Sequence, residues 1–175
     1  MLIFIQFLGF DLFERRSEMN DKVPYICGPL TELPDYEKNQ VKGFYEMIAD
    51  VCEEITGKRA FVPHEHYDPL KHADFSPKQV DDAERCQVQE NTSYLIVIAI
   101  APSWGGGIEV EMANQVNIPV ILLCPKEKFK QGKISRLLRG NPAVTAIILY
   151  KNYSSALSQL RPKLRRILEK EKAEV

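Results

Sequence analysis

Hydrophobic positions along the chain fall into two alternating patterns. Short unbroken apolar runs at residues 23–27, 60–62, 94–101, 119–124 and 143–149 read as strands buried on both faces of a parallel sheet. Between them, apolar residues recur three and four positions apart, as helices require. Phe44, Ile48, Val51 and Ile55 mark a helix over residues 36–56, with Asp35 as its cap and Gly57 as its terminator. Ser76 and Pro77 open a second helix that runs to about Asn91. Further helices are expected at residues 108–115, at 134–139 before Gly140, and from Ser154 to about Glu171, the last with a basic end and a kink at Pro162. Residues 126–133 read as a charged loop.

This alternation predicts an α/β domain of three layers, flavodoxin- or Rossmann-like, with a five-stranded parallel sheet in the order 2-1-3-4-5. At 175 residues the chain suits one domain, assigned to residues 23–175. Residues 1–22 read as an N-terminal extension. Their apolar part falls short of the roughly 20 residues a membrane span needs, and no basic segment or small-residue cleavage site marks a signal peptide. Two readings stand for this stretch: a translated extension ahead of a start at Met19, or an extra strand or helix packed on the domain.

Composition removes several classes. Net charge is −1 and 27% of residues are charged, which gives no basic footprint for nucleic acid. Cys27, Cys52, Cys86 and Cys124 are scattered, with no CxxC pair and no Cys/His spacing, so no metal site and no cofactor are expected. Free thiols suit a cytoplasmic protein.

The central run ends in residues 102–109, PSWGGGIE. Glycines at the carboxyl end of a buried strand let backbone N–H groups approach a ligand, and a helix starting there turns its positive end toward the crevice. Glu109 is placed in or near the first helical turn, where the dipole keeps a carboxylate ionised, suited to act as nucleophile or charge stabiliser. The same pattern also fits a favourable first-turn carboxylate beside a tight turn. A parallel sheet gathers the other strand-end loops at the same edge: Tyr25 and Gly28 to Thr31; His64, Glu65, His66 and Asp68; Ser103, Gly105 and Gly107; and Ser135 with Arg136 and Arg139. No GxGxxG, GxxxxGK[ST] or GxSxG motif is present, so dinucleotide, P-loop and hydrolase-elbow readings lose support. A carboxylate, a histidine loop and anion donors suit cleavage of an N-glycosidic bond, whose oxocarbenium-like transition state a carboxylate stabilises or traps.

At this level the chain resembles the nucleoside 2-deoxyribosyltransferase family, and within it the 2′-deoxynucleoside 5′-phosphate N-hydrolases. YICGPLT is similar to the family's first strand and loop, and PSWGGGIEVEMA to its glycine-rich glutamate segment. The resemblance covers roughly residues 23–149. It implies Glu109, not Glu111, as the catalytic glutamate, Tyr25 as its orienting tyrosine, and Glu65-His66 as a pair near the base. It further implies phosphate contacts at Gly28, Thr31, Ser103, Gly105 and Gly107, with Ser135 supplied across a homodimer interface. The substrate class implied is a small-molecule nucleotide or nucleoside. The family's helix aspartate is missing near Arg85 and Cys86, leaving Asp82 or Glu84 to replace it. Pro29 stands where a serine is usual. Hydrolysis of 2′-deoxynucleoside 5′-monophosphates is the leading expectation; transfer to another base, or a binding module without turnover, are the alternatives. An esterase built on Ser103 is a weaker one.

Overall fold

Four strands, all parallel and in the order β1-β2-β3-β4, form the centre of the computed structural model, which describes residues 22–30, 33–66 and 74–173. They are β1 (Val23–Cys27), β2 (Thr92–Ile98), β3 (Val120–Pro125) and β4 (Val144–Tyr150). The helices are α1 (Asp35–Thr56), α2 (Pro63–His66), α3 (Pro77–Asn91), α4 (Trp104–Gln115), α5 (Lys126–Lys130), α6 (Arg136–Arg139) and α7 (Tyr153–Ala173).

The five-strand expectation needs correction. Residues 60–62 do not form a strand; they touch the free edge of β1 through one parallel bridge, Tyr25 to Phe61. Ile26 N–H donates to the Phe61 carbonyl at 2.9 Å and Phe61 N–H to the Pro24 carbonyl at 2.7 Å. The ladder stops there because Pro63 begins a helical turn, and a proline donates no further bond. The chain therefore steps to one side of β1, then through α3 to the other side. That reversal puts a crevice beyond the carboxyl ends of β1 and β2.

Alternate residues of each strand face two cores. Ile26, Ile96, Ile98, Ile121 and Leu123 pack with Phe44 and Ile48 of α1 and Leu160 of α7. Tyr25, Cys27, Leu95, Val97 and Leu122 pack with Val88 of α3 and Val110 and Met112 of α4. Period-two alternation with apolar residues on both faces is why these runs read as unbroken.

The helix ends follow local chemistry. Ser76 and Gln79 form a full capping box with Pro77 at the first position of α3. Gly57 closes α1 at φ 76°, donating to the Glu53 carbonyl. Pro34, not Asp35, caps α1. Residues 126–130 coil into α5 rather than forming a loop, and α7 continues through Pro162. Among the described residues no helix is long and apolar enough to cross a membrane, and the four cysteines are free thiols.

One glycine is fixed by packing. A Cβ at Gly28 would run into the Tyr45 hydroxyl and stand 3.0 Å from Tyr45 Cζ and 3.2 Å from Ile98 Cβ. Tyr45 has no room to yield, because its hydroxyl donates to the Pro29 carbonyl at 3.0 Å. Gly28→Ala is expected to lower stability by roughly 1–3 kcal/mol. A urea denaturation midpoint equal to that of the parent would contradict this packing.

Candidate active site

Ser103 caps α4: its hydroxyl accepts from the Gly106 N–H at 3.1 Å. The three glycines are thus the second to fourth residues of the helix, not a loop before it. Gly106 is buried against β1, where a Cβ would lie 3.2 Å from Ser103 Oγ and 3.3 Å from Cys27 Sγ. Gly105 and Gly107 have open space around their Cα atoms. The glycine run therefore lets α4 press onto Cys27 with one residue and leaves bare backbone with the other two.

This start moves Glu109 into the second turn and corrects the reading of its charge. Glu109 is 6% exposed. Burial pushes its carboxyl up, opposed by hydrogen bonds from Tyr25 and Cys27. Desolvation outweighs a helix dipole whose influence fades within the first turn. Glu111, two residues on, is exposed and accepts from Asn114 and from Asn141. Only the first of the two glutamates therefore points at the sheet.

Tyr25 is fully buried and donates its hydroxyl to Glu109 Oε1 in a short hydrogen bond. Burial, then the Glu109 charge, raises the phenol well above its ordinary range, so it remains a donor. The same two causes raise the Cys27 thiol, whose Sγ also lies 3.8 Å from the Gly106 carbonyl. Tyr25 stacks on Phe61 with centroids 5.5 Å apart, and Phe61 stacks on His66 at 4.2 Å. His66 is exposed, at the end of this ring stack away from Tyr25 and Glu109. Glu65 turns away from the glutamate and accepts both bonds of an Arg59 fork at 3.0 Å.

The acid opposite Glu109 is Glu84, not Asp82. Asp82 is exposed and bound to Lys78 at 2.7 Å. Glu84, half a helical turn away, shares with Glu109 a hollow of about 380 Å³ walled by Phe75, Val80, Gly105 and Met112. Burial, reinforced by the charges of Glu109 and Asp81, pushes the Glu84 carboxyl up to about 7. Two carboxylates at one hollow, both raised by burial and with Glu84 holding its proton near neutrality, form an acid–base pair.

The expected phosphate groups lie elsewhere. Gly28, Ser103, Gly107 and Ser135 line a larger cavity of about 810 Å³ on the other side of the start of α4, while Gly105 faces the smaller hollow. Ser135 is exposed and caps α6 by accepting from Leu138 N–H at 3.3 Å. Thr31 and Asp68 lie outside the described residues. Although the second cavity is roomier, chemistry at a sugar carbon needs the carboxylates, so the smaller hollow is the candidate reaction centre. Ser103, as a helix cap, has its hydroxyl turned to backbone, against the esterase reading.

Fold and site together define an α/β domain with paired acids at the carboxyl edge of its sheet. No protein-family model and no curated protein matches the sequence. Solved structures do match in fold. The CMP N-glycosidase BcmB of Clostridium botulinum aligns with a TM-score of 0.58 at 20% identity, over 79% of this chain and 98% of that one. BlsM aligns at 0.60 and 19% identity, over 86% and 94%. A conserved protein of Enterococcus faecalis V583 aligns at 0.54 and 14%, over 81% and 98%. The shared fold agrees with the resemblance to nucleoside deoxyribosyltransferases.

Proposed function

We propose that this protein hydrolyses the N-glycosidic bond of 2′-deoxynucleoside 5′-monophosphates. The observation that carries the reading is the buried Glu109, held by the Tyr25 hydroxyl and faced by a second acid, Glu84. The fold shared with a CMP N-glycosidase supports a nucleotide as substrate.

A Glu109 oxygen attacks the anomeric carbon as the bond to the base breaks, while protonated Glu84 gives its proton to the leaving base. Glu84, now ionised, takes a proton from water as that water attacks the glycosyl ester. Glu109 leaves, and the products are free base and deoxyribose 5-phosphate. Tyr25 holds Glu109 in one orientation throughout and, as a neutral donor, does not add charge. The bare backbone of Gly105 beside Glu109 and the free N–H end of α4 offer the phosphate its donors. Ser135 joins them from a second copy. That homodimer is part of the proposal: Trp104 and Leu137, 90% and 87% exposed at the rim of the larger cavity, are large apolar side chains in want of cover. Sedimentation that finds monomer alone at micromolar concentration rejects the dimer.

The test is incubation of the purified chain with each deoxynucleoside monophosphate, its ribonucleotide and its nucleoside, with free base followed by chromatography. Release from the deoxynucleotides is the expected result. Exchange with an added base, instead of water, identifies a transferase. Saturable nucleotide binding with no release identifies a binding module and sinks the hydrolytic reading.

A further inference from the structure

His64 takes no part in the site just described, and its surroundings are unusual. It is 7% exposed, and neither ring nitrogen has a hydrogen-bond partner. Its Nε2 points at Glu46 Oε1 of α1 from 3.6 Å, too far for a hydrogen bond. Glu65, its neighbour on α2, turns a carboxylate toward the same point. One ligand atom from each of Glu46, His64 and Glu65 lies within 4.8 Å of the others.

A buried imidazole with both nitrogens unmatched is destabilising. A cation seated among the three groups would satisfy the ring nitrogen that faces it and balance two carboxylates at once. One imidazole nitrogen with two carboxylate oxygens is a donor set for zinc-type ions, with a fourth position left for water. Burial disfavours the protonated, non-ligating form of His64, against the pull of the Glu46 and Glu65 carboxylates.

Two positive groups lie nearby. Arg59 donates to both oxygens of Glu65 and reaches toward Asp50 at 3.8 Å. Each carboxylate oxygen keeps a second lone pair, so Arg59 orients Glu65 as outer partners of metal ligands do. Lys42 bears on His64 through its charge, against protonation.

We propose that Glu46, His64 and Glu65 bind a divalent transition-metal cation, with zinc as the type, and that the ion staples α2 to α1. His66 follows directly in α2 and ends the ring stack that leads through Phe61 to Tyr25. A bound cation would therefore fix the rim of the reaction centre without entering the chemistry. The site stands on its own donors and does not depend on the N-glycosidic reading.

The experiment is equilibrium dialysis of the tag-free full chain against zinc, with metal content measured per chain. One ion per chain is expected. Glu46→Gln and His64→Gln are each expected to weaken binding by about tenfold or more, while Cys86→Ser, which removes the exposed thiol, leaves it unchanged. Absence of saturable binding, binding retained in both ligand variants, or binding lost with Cys86→Ser overturns the proposal. Nitrogen-15 spectra of the unmutated protein decide the matter if a variant does not fold. Zinc must shift a ring nitrogen of His64, and an unmoved His64 resonance under saturating zinc also overturns it.

Discussion

Glu109→Gln is expected to lower base release by about a thousandfold or more while leaving the protein as stable as before, or more stable. The two halves of this result come from one cause. The carboxylate is buried, and desolvation disfavours its charge, so the native state carries a group that folding alone would not choose. Glutamine keeps the shape and can still accept from the Tyr25 hydroxyl, but it cannot attack the anomeric carbon. Thermal melting beside single-turnover kinetics separates the outcomes. A variant that retains its rate removes Glu109 from the chemistry. A variant that loses both rate and midpoint points instead to a structural carboxylate.

The second large effect concerns Glu84. Its carboxyl titrates at about 7, so turnover by the unmutated protein is expected to fall as pH rises through that value and the acid loses its proton. Glu84→Gln should lower the rate by about 10²–10⁴ and abolish that limb of the pH profile. Stability carries the same signature. An unfolded glutamate titrates near ~4.3 and the folded one near 7. The native state therefore holds the extra proton between these values, and stability should decline as pH rises across that window. The glutamine variant should show a flatter curve. In Glu109→Gln, loss of the opposing charge should move the Glu84 titration below 7, readable by carbon-13 spectra of the carboxyl. A Glu84 midpoint unmoved by that substitution would show that the two acids do not sense each other.

Glu84 also shows how far the sequence could be read. Val80, Glu84 and Val88 recur four apart on α3, and Val88 is fully buried. An acid on the apolar stripe of an amphipathic helix is the unused signal that separates it from Asp82, whose position two residues earlier sends it to the solvent face beside Lys78. Cys27 and Phe61 gave no such signal. Each reads as an ordinary buried residue, and the nearness of Cys27 to Glu109 and of Phe61 to Tyr25 comes from pairings dozens of residues apart in the chain.

The sequence by itself determined the parallel α/β plan, the cap of α3 and the terminator of α1. These follow from periodicity and from the chemistry of a few adjacent residues, which need no knowledge of the rest of the chain. Tertiary structure alone decided that residues 60–62 contribute one bridge instead of a strand. It also decided that burial raises the Glu109 carboxyl, that Glu84 faces it, and that the serines line a separate cavity. Those are properties of packing, desolvation and charge between distant segments, and local pattern carries no record of them.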